Sequence, residues 1–261
     1  MAKTFDFTRK NKKTGKIENV GTMKFNELTD ETAELRFYGD ICSASWQSSF
    51  FEDDQSPQDV SDFLSDIGRS KKLSVYVNSG GGDVNGGIAI YNILKRYEGE
   101  KTAYIDGIAA SIASIIPFAC DRIVYTSSSQ MMIHKPWAAF EGNADDMRKC
   151  AEALDSCQKA IMAIYVEHAA DGVTEEQIEQ MINNETWLTG AEVAQFFDVE
   201  VEETVAAVAC AKSHYFNKYR NLPENLTEKT TPEPTPIPPN SGDDGTKLKE
   251  RLQLWHDCLM L

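Results

Sequence analysis

Apolar and polar positions alternate from Ala33 to Ile41, "AELRFYGDI", and the run closes on Gly-Asp, which predicts a strand and a turn. "SPQDVSDFLSDIG" then carries the marks of a capped helix, with Ser56 at the N-cap, Pro57 at the first position and Gly68 as the stop. "KKLSVYVNS" is β-rich and runs directly into "GGGDVNGGIAIYNILKRYEG", where Val84, Ile88, Tyr91 and Leu94 recur at helical spacing. The glycines therefore sit at a strand-to-helix turn. "KTAYID" predicts another strand, Gly107 another turn and "SIASIIPFAC" another helix, followed by the strands "DRIVYT" and "QMMIHK". This repeated strand-turn-helix plan predicts an α/β core with crossover connections.

Downstream, residues 143 to 170 predict one long helix, capped by Asn143, with Asp145 and Asp146 at its positive end. Met147, Ala151, Leu154, Ile161 and Ile164 mark its apolar face, and Asp171-Gly172 ends it. "TEEQIEQMINN" predicts a second helix, and Thr189 to Glu192 resembles a capping box. The pattern breaks after Arg220: "LPENLTEKTTPEPTPIPPNSGDDG" holds six of the nine prolines and lacks the apolar surface to fold, so it reads as a disordered linker over 221–246. In 247–261, Leu248, Leu252, Trp255 and Leu259 share one helical face. That pattern fits a short docking or oligomerisation helix and equally a frayed tail.

Composition narrows the function classes. A hydrophobic fraction of 41% and a charged fraction of 26% are ordinary for a globular chain. No apolar run approaches the roughly 20 residues that span a bilayer, so no membrane role is expected. A formal net charge of −15 argues against a nucleic-acid partner. The basic cluster Arg9 to Lys16 falls in residues 1–30, which read as a solvated N-terminal arm. The first residues carry no apolar signal core, so a cytoplasmic location is expected. Cys42, Cys120, Cys150, Cys157, Cys210 and Cys258 form no CxxC pair, so neither a metal site nor a cofactor is expected.

Two serines interrupt the apolar run "YIDGIAASIASIIPFAC", and a buried hydroxyl there is either a packing detail or chemistry. Ser111 sits at the first turn of the predicted helix, where a hydroxyl would lie beside free backbone N–H groups, and Gly107, Ala109 and Ala110 permit a close turn. A nucleophilic serine needs a base, a group that orients the base, and amide donors for an oxyanion. Of the four histidines, His214 and His256 neighbour the linker and the tail, and His168 closes the long helix. That leaves His134, at a strand end before Pro136. Alone it reads as a structural residue; beside Ser111 it reads as a base.

The 41 carboxylates offer too many third members, and Glu185 in "NNETWLTG" reads on residue physics alone as a first-turn helix carboxylate. The "NSGGGD" turn lacks both the GxxxxGK[ST] lysine and the GxGxxG spacing of nucleotide sites. Its glycines would instead let backbone approach a substrate, with the amides of Gly82 and Ile112 as oxyanion donors, or make a tight turn and nothing more.

Together these pieces resemble the Clp protease proteolytic subunit family, ClpP, and within it the phage and prophage branch of head maturation proteases. "YGDI" and "VYVNSGGGDVNGGIAIYNILKR" resemble the family's strand, turn and following helix; "DGIAASIAS" resembles its nucleophile segment, "MMIHKPW" its histidine segment and "ETWLTGAEVAQFF" its acidic segment. The match spans roughly residues 33 to 201. It implies the ClpP/crotonase-like α/β fold of repeated ββα units over a peptidase domain at 31–220. By position it makes Ser111 the nucleophile, His134 the base and Glu185 the orienting carboxylate. Gly82 and Ile112 become the oxyanion amides, with Gly80 and Gly81 in the substrate-facing turn. Ser114, Ser79 and Ser127 to Ser129 return to structural roles.

Three positions depart from the family pattern. Gly80 replaces a usual proline, which is expected to loosen the turn; Glu185 replaces the aspartate of housekeeping enzymes; and Phe197 replaces a helix-ending glycine. The resemblance further implies a peptide or protein substrate, with scaffold or capsid precursors suspected, and a homo-oligomer of heptameric rings to which residues 143 to 170 contribute contacts. A AAA+ ATPase partner, a crotonase-like acyl-CoA enzyme and a silent shell protein are the competing readings.

Overall fold

The computed structural model describes residues 2–10, 17–26, 32–48, 54–69, 71–203, 213, 215–223 and 226. In chain order its elements begin with β1 (Ala2–Lys10), β2 (Ile17–Asn26), β3 (Thr32–Phe37), α1 (Ser45–Ser48), α2 (Pro57–Ile67), β4 (Lys72–Ser79), α3 (Val84–Lys95) and β5 (Lys101–Ala110). A 3-10 helix (Ser111–Ala119), β6 (Arg122–Thr126), β7 (Gln130–Ile133), α4 (Ala144–Glu167), α5 (Glu175–Asn183), β8 (Thr186–Thr189), α6 (Gly190–Phe196) and β9 (Glu200–Glu202) follow. A single 3-10 turn (Phe216–Lys218) closes the series. No helix among the described residues is long and apolar enough to cross a membrane.

Seven of the described strands form one sheet in the order β3-β4-β5-β6-β9, all parallel, with β7 parallel to the far half of β5 and β8 antiparallel to β7. Parallel neighbours require crossovers, and α2, α3 and the 3-10 helix supply them, as the strand-turn-helix pattern predicts. The strands alternate between buried and half-buried positions: Leu73, Val75 and Val77 of β4 and Ala103 and Ile105 of β5 enter the core. Their other faces carry Tyr76 and Tyr104, stacked at 5.4 Å. The helix caps follow the sequence signals. Ser56, Asn143, Thr174 and Thr189 each make a capping box, a motif whose N-cap alone contributes about 1 kcal/mol.

Gly107 departs from expectation. It is not a turn, because β5 continues through it to Ala110. Between the pairs Val77↔Ile105 and Ser79↔Ala109 β5 advances further than β4, so the extra residues bulge out of the ladder. Asn78 Oδ1 accepts the amide of Ile108 at 3.2 Å, and a side chain at 107 would meet that same oxygen. The bulge carries the strand end toward the Gly-rich turn.

Residues 1–30, read as a solvated N-terminal arm, contain the antiparallel pair β1–β2; residues 11–16 of the basic cluster lie outside the described residues. The expected apolar face of α4 is buried only from Ile161 onward, whereas Met147 is 45% exposed. The linker was expected from 221, yet Asn221 is hydrogen-bonded and Leu226 is buried. Residues 227–261, including the expected terminal helix, lie outside the described residues.

Candidate active site

Sheet register assembles the site. β5 and β7 pair Ala110 with Met132, and β7 and β8 pair Ile133 with Thr186. One step beyond these pairs stand Ser111, His134 and Glu185, each at the end of its strand or just before one. Three residues far apart in sequence thus converge because their strands are neighbours.

Ser111 Oγ lies 2.7 Å from His134 Nε2, a hydrogen-bonding distance. Ser111 has φ 54°, and Glu185 has φ 50°; no other non-glycine residue among those described has a positive φ. This left-handed backbone costs a side-chain-bearing residue about 1–2 kcal/mol, so the fold spends strain at two of the three expected positions. At Ser111 the strain makes the elbow: the strand stops, the 3-10 helix starts, and Oγ stands out at the bend. Ile112 follows as the second residue of that helix, where amides have no intrahelical acceptor.

The Gly-rich turn runs beside the elbow. Its backbone is locked to the chain after β3: Ile41 N donates to Gly81 O and Asp83 N to Ile41 O, each at 2.8 Å. Gly82 has φ 146°, and a Cβ there would fall 2.1 Å from Ile41 O, so only glycine fits. A Cβ on Gly81 (φ 106°) would fall 2.7 Å from Ser111 Cβ. The turn therefore approaches the serine at backbone distance, as the oxyanion reading of these glycines requires. Ser79 Oγ braces the turn by donating to Gly39 O and accepting from Gly81 N.

Burial pushes the His134 imidazole below its ordinary pKa of 6.5; Glu185 opposes the shift and the positive charge of Arg220 adds to it. Glu185 is 6% exposed and acts on His134 through charge rather than a hydrogen bond. Its Oε1 instead accepts the amide of Asn221 at 2.6 Å, while Asn221 Nδ2 donates to the carbonyls of Asn184 and Glu185. Glu185 does not open a helix, since it lies between α5 and β8, so the first-turn carboxylate reading fails.

Ser114 is buried with its hydroxyl between Ser111 O and the Tyr165 hydroxyl, the latter at 2.6 Å, a packing role. His168 caps α4 and stacks on Phe118 at 4.8 Å, away from Ser111.

Sequence reasoning missed the residues that sit over the site. Tyr219 is 8% exposed, its ring meets His134 edge-on at 5.2 Å, and its hydroxyl donates to Gly80 O. Ser213 and Phe216 cover Gly80 so closely that a Cβ there would fall 2.3 Å from Ser213 Cβ. The aromatic run "SHYFNKYR" before the prolines was the only signal of this packing.

The family model described as Clp protease matches residues 57–197, more than half of the chain. Among solved structures, a ClpP1 mutant from Listeria monocytogenes is similar at a TM-score of 0.53 and 22% identity, covering 67% of this chain and 93% of that one. That likeness extends to the fold.

Proposed function

Since the chain belongs to the Clp protease family of serine peptidases, we propose that it is a serine endopeptidase with Ser111 as nucleophile, His134 as base and Glu185 as orienting carboxylate. The observation that carries this reading is the 2.7 Å contact between Ser111 Oγ and His134 Nε2 at a strained strand end. Neutral His134 takes the hydroxyl proton at Nε2 as Oγ attacks the scissile carbonyl carbon. The negative charge that gathers on the carbonyl oxygen is received by the amides of Gly82, flanked by the Ile41 bonds to Gly81 and Asp83, and of Ile112. When the C–N bond breaks, His134 returns the proton to the leaving amine. Water then repeats the sequence on the acyl-enzyme. Gly80 and Gly81 present backbone to the bound peptide.

Processing of scaffold or capsid precursors during phage head assembly is the biological setting we infer, in the host cytoplasm or the prohead. It rests on the resemblance of the motif set to the head maturation branch. Assembly into rings is supported by the half-buried apolar stripe of α4. A crotonase-like acyl-CoA enzyme would have no use for the Ser111–His134 contact, and a silent shell protein would not label. The test is intact-mass analysis after a fluorophosphonate, with peptide mapping. One adduct on Ser111, lost in Ser111→Ala together with proteolysis, is expected; a Ser111→Ala protein that still cleaves normally overturns the proposal.

A further inference from the structure

We propose that Ser213 and residues 215–223 form an autoinhibitory strap that occupies the peptide-binding face of the site and must lift before substrate engages Ser111. The inference rests on the serine peptidase reading above.

The strap contacts the substrate-facing turn, the imidazole and the carboxylate of the proposed site. Tyr219 donates its hydroxyl to Gly80 O, an acceptor on the turn beside which an extended substrate would run. The same side chain lays its ring edge on His134, the proposed base, at 5.2 Å. Ser213 and Phe216 fill the space over Gly80, which a residue with a side chain would close to them. The missing proline at this position thus admits the strap rather than merely loosening the turn. Asn221 holds Glu185 by its backbone amide, so the carboxylate bonds to the strap and not to the imidazole it is meant to orient. One segment therefore blocks the substrate face and disengages the third member of the triad.

The attachment is built to release. The strap's own backbone bonds run within it, from Lys218 N to Tyr215 O at 2.8 Å and from Tyr219 N to Phe216 O at 3.3 Å. It adds no strand to the sheet. Apart from the Asn221 amide on Glu185, the bonds that pin it to the body among the described residues come from side chains, including Ser213 Oγ to Asp40 Oδ1 at 2.6 Å. Its apolar anchor is a small cluster of Ile108, Ala110, Met132, Tyr219 and Leu226, separate from the main core. A segment that packs, with Tyr215, Phe216 and Leu222, on this satellite cluster and not on the main core opens at lower free energy than the fold as a whole. When it opens, it bares an apolar surface next to the nucleophile, which suits an apolar stretch of substrate.

The test is the second-order rate at which a fluorophosphonate modifies Ser111 in the full chain, where Oγ displaces fluoride from phosphorus. Parent, Tyr219→Phe and Tyr219→Ala proteins are compared by intact mass, with circular dichroism reporting the fold. Tyr219→Phe keeps the ring and removes the hydroxyl's bond, so labelling is expected to rise about fivefold, the shift that one buried hydrogen bond supports. Tyr219→Ala should exceed that. If Tyr219→Ala does not fold, Tyr219→Phe decides. Labelling that is unchanged or slower in the folded variants overturns the strap and leaves the peptidase reading standing. No labelling of any folded protein overturns the peptidase reading itself.

Discussion

His134 carries opposing influences that a variant series can separate. Burial and Arg220 favour the neutral imidazole, and Glu185 favours the protonated one. A base works when neutral, so the acid limb of kcat/KM is expected to have its midpoint below 6.5. Arg220→Ala removes a positive charge, raises the His134 pKa and moves the limb to higher pH; Glu185→Gln moves it lower and also cuts the maximal rate by about 10²-fold or more. A pH–rate profile on each variant checks both directions. The same depressed pKa links to stability: the unfolded chain binds the proton more tightly, so stability falls as pH drops below 6.5 toward the folded value. Ser111 and His134 were legible as candidates because a serine at a predicted helix start and a histidine at a predicted strand end are local features. Glu185 was legible only through the family motif, since nothing local separates it from the other carboxylates. Tyr219 and Asn221 were not legible, because what places them is the packing of Ser213 and residues 215–223 over the site, and no periodicity encodes a docking made by side chains and one backbone amide.

Elements show where local pattern suffices and where it fails. α2, α3 and α5 begin and end close to where caps and apolar spacing predict, since both act within a few residues. The expected turn at Gly107 is a strand bulge, because the Asn78 side chain, a long-range partner, completes the ladder there. Two substitutions test how elements serve the elbow. Ser114→Ala strips the Tyr165 hydroxyl of its partner inside the core and is expected to cost about 1–3 kcal/mol in denaturant unfolding. Fluorophosphonate labelling at Ser111 should persist, separating the packing serine from the reactive one. Gly82→Ala is expected to do the reverse. Its Cβ cannot coexist with Ile41 O, so the turn must shift and carry the amide at 82 away from the oxyanion position proposed for it. The loss of one such donor lowers kcat by about 10²–10³-fold, to be read by steady-state peptide hydrolysis alongside an unfolding curve.

At the scale of the whole molecule, the long helix α4 poses the remaining packing problem. At about 1.5 Å per residue its 24 residues run about 36 Å, yet only Ile161, Met162, Ile164 and Tyr165 near its end are buried. Met147, Cys150, Leu154 and Cys157 continue the stripe at helical spacing, exposed or half-buried, and Trp137 and Phe140 stand exposed in the loop before it. A helix of this kind gains most of its stability from tertiary packing of its apolar face, and here the protomer covers that face for only part of its length. Another copy of the chain is the covering surface that ring assembly would provide. Burying a side chain of this size contributes about 1.5–3 kcal/mol, so placing a charge at the stripe should weaken association by tenfold or more. Met147→Asp is therefore expected to shift the sedimentation profile toward smaller species while leaving circular dichroism unchanged. A profile identical to the parent's would show that α4 does not carry the contact. Because the proposed site is assembled from strands within one protomer, single-turnover labelling of Ser111 should survive in the smaller species. Any loss of turnover on folded protein substrate would then belong to the proposed assembly and not to the proposed triad.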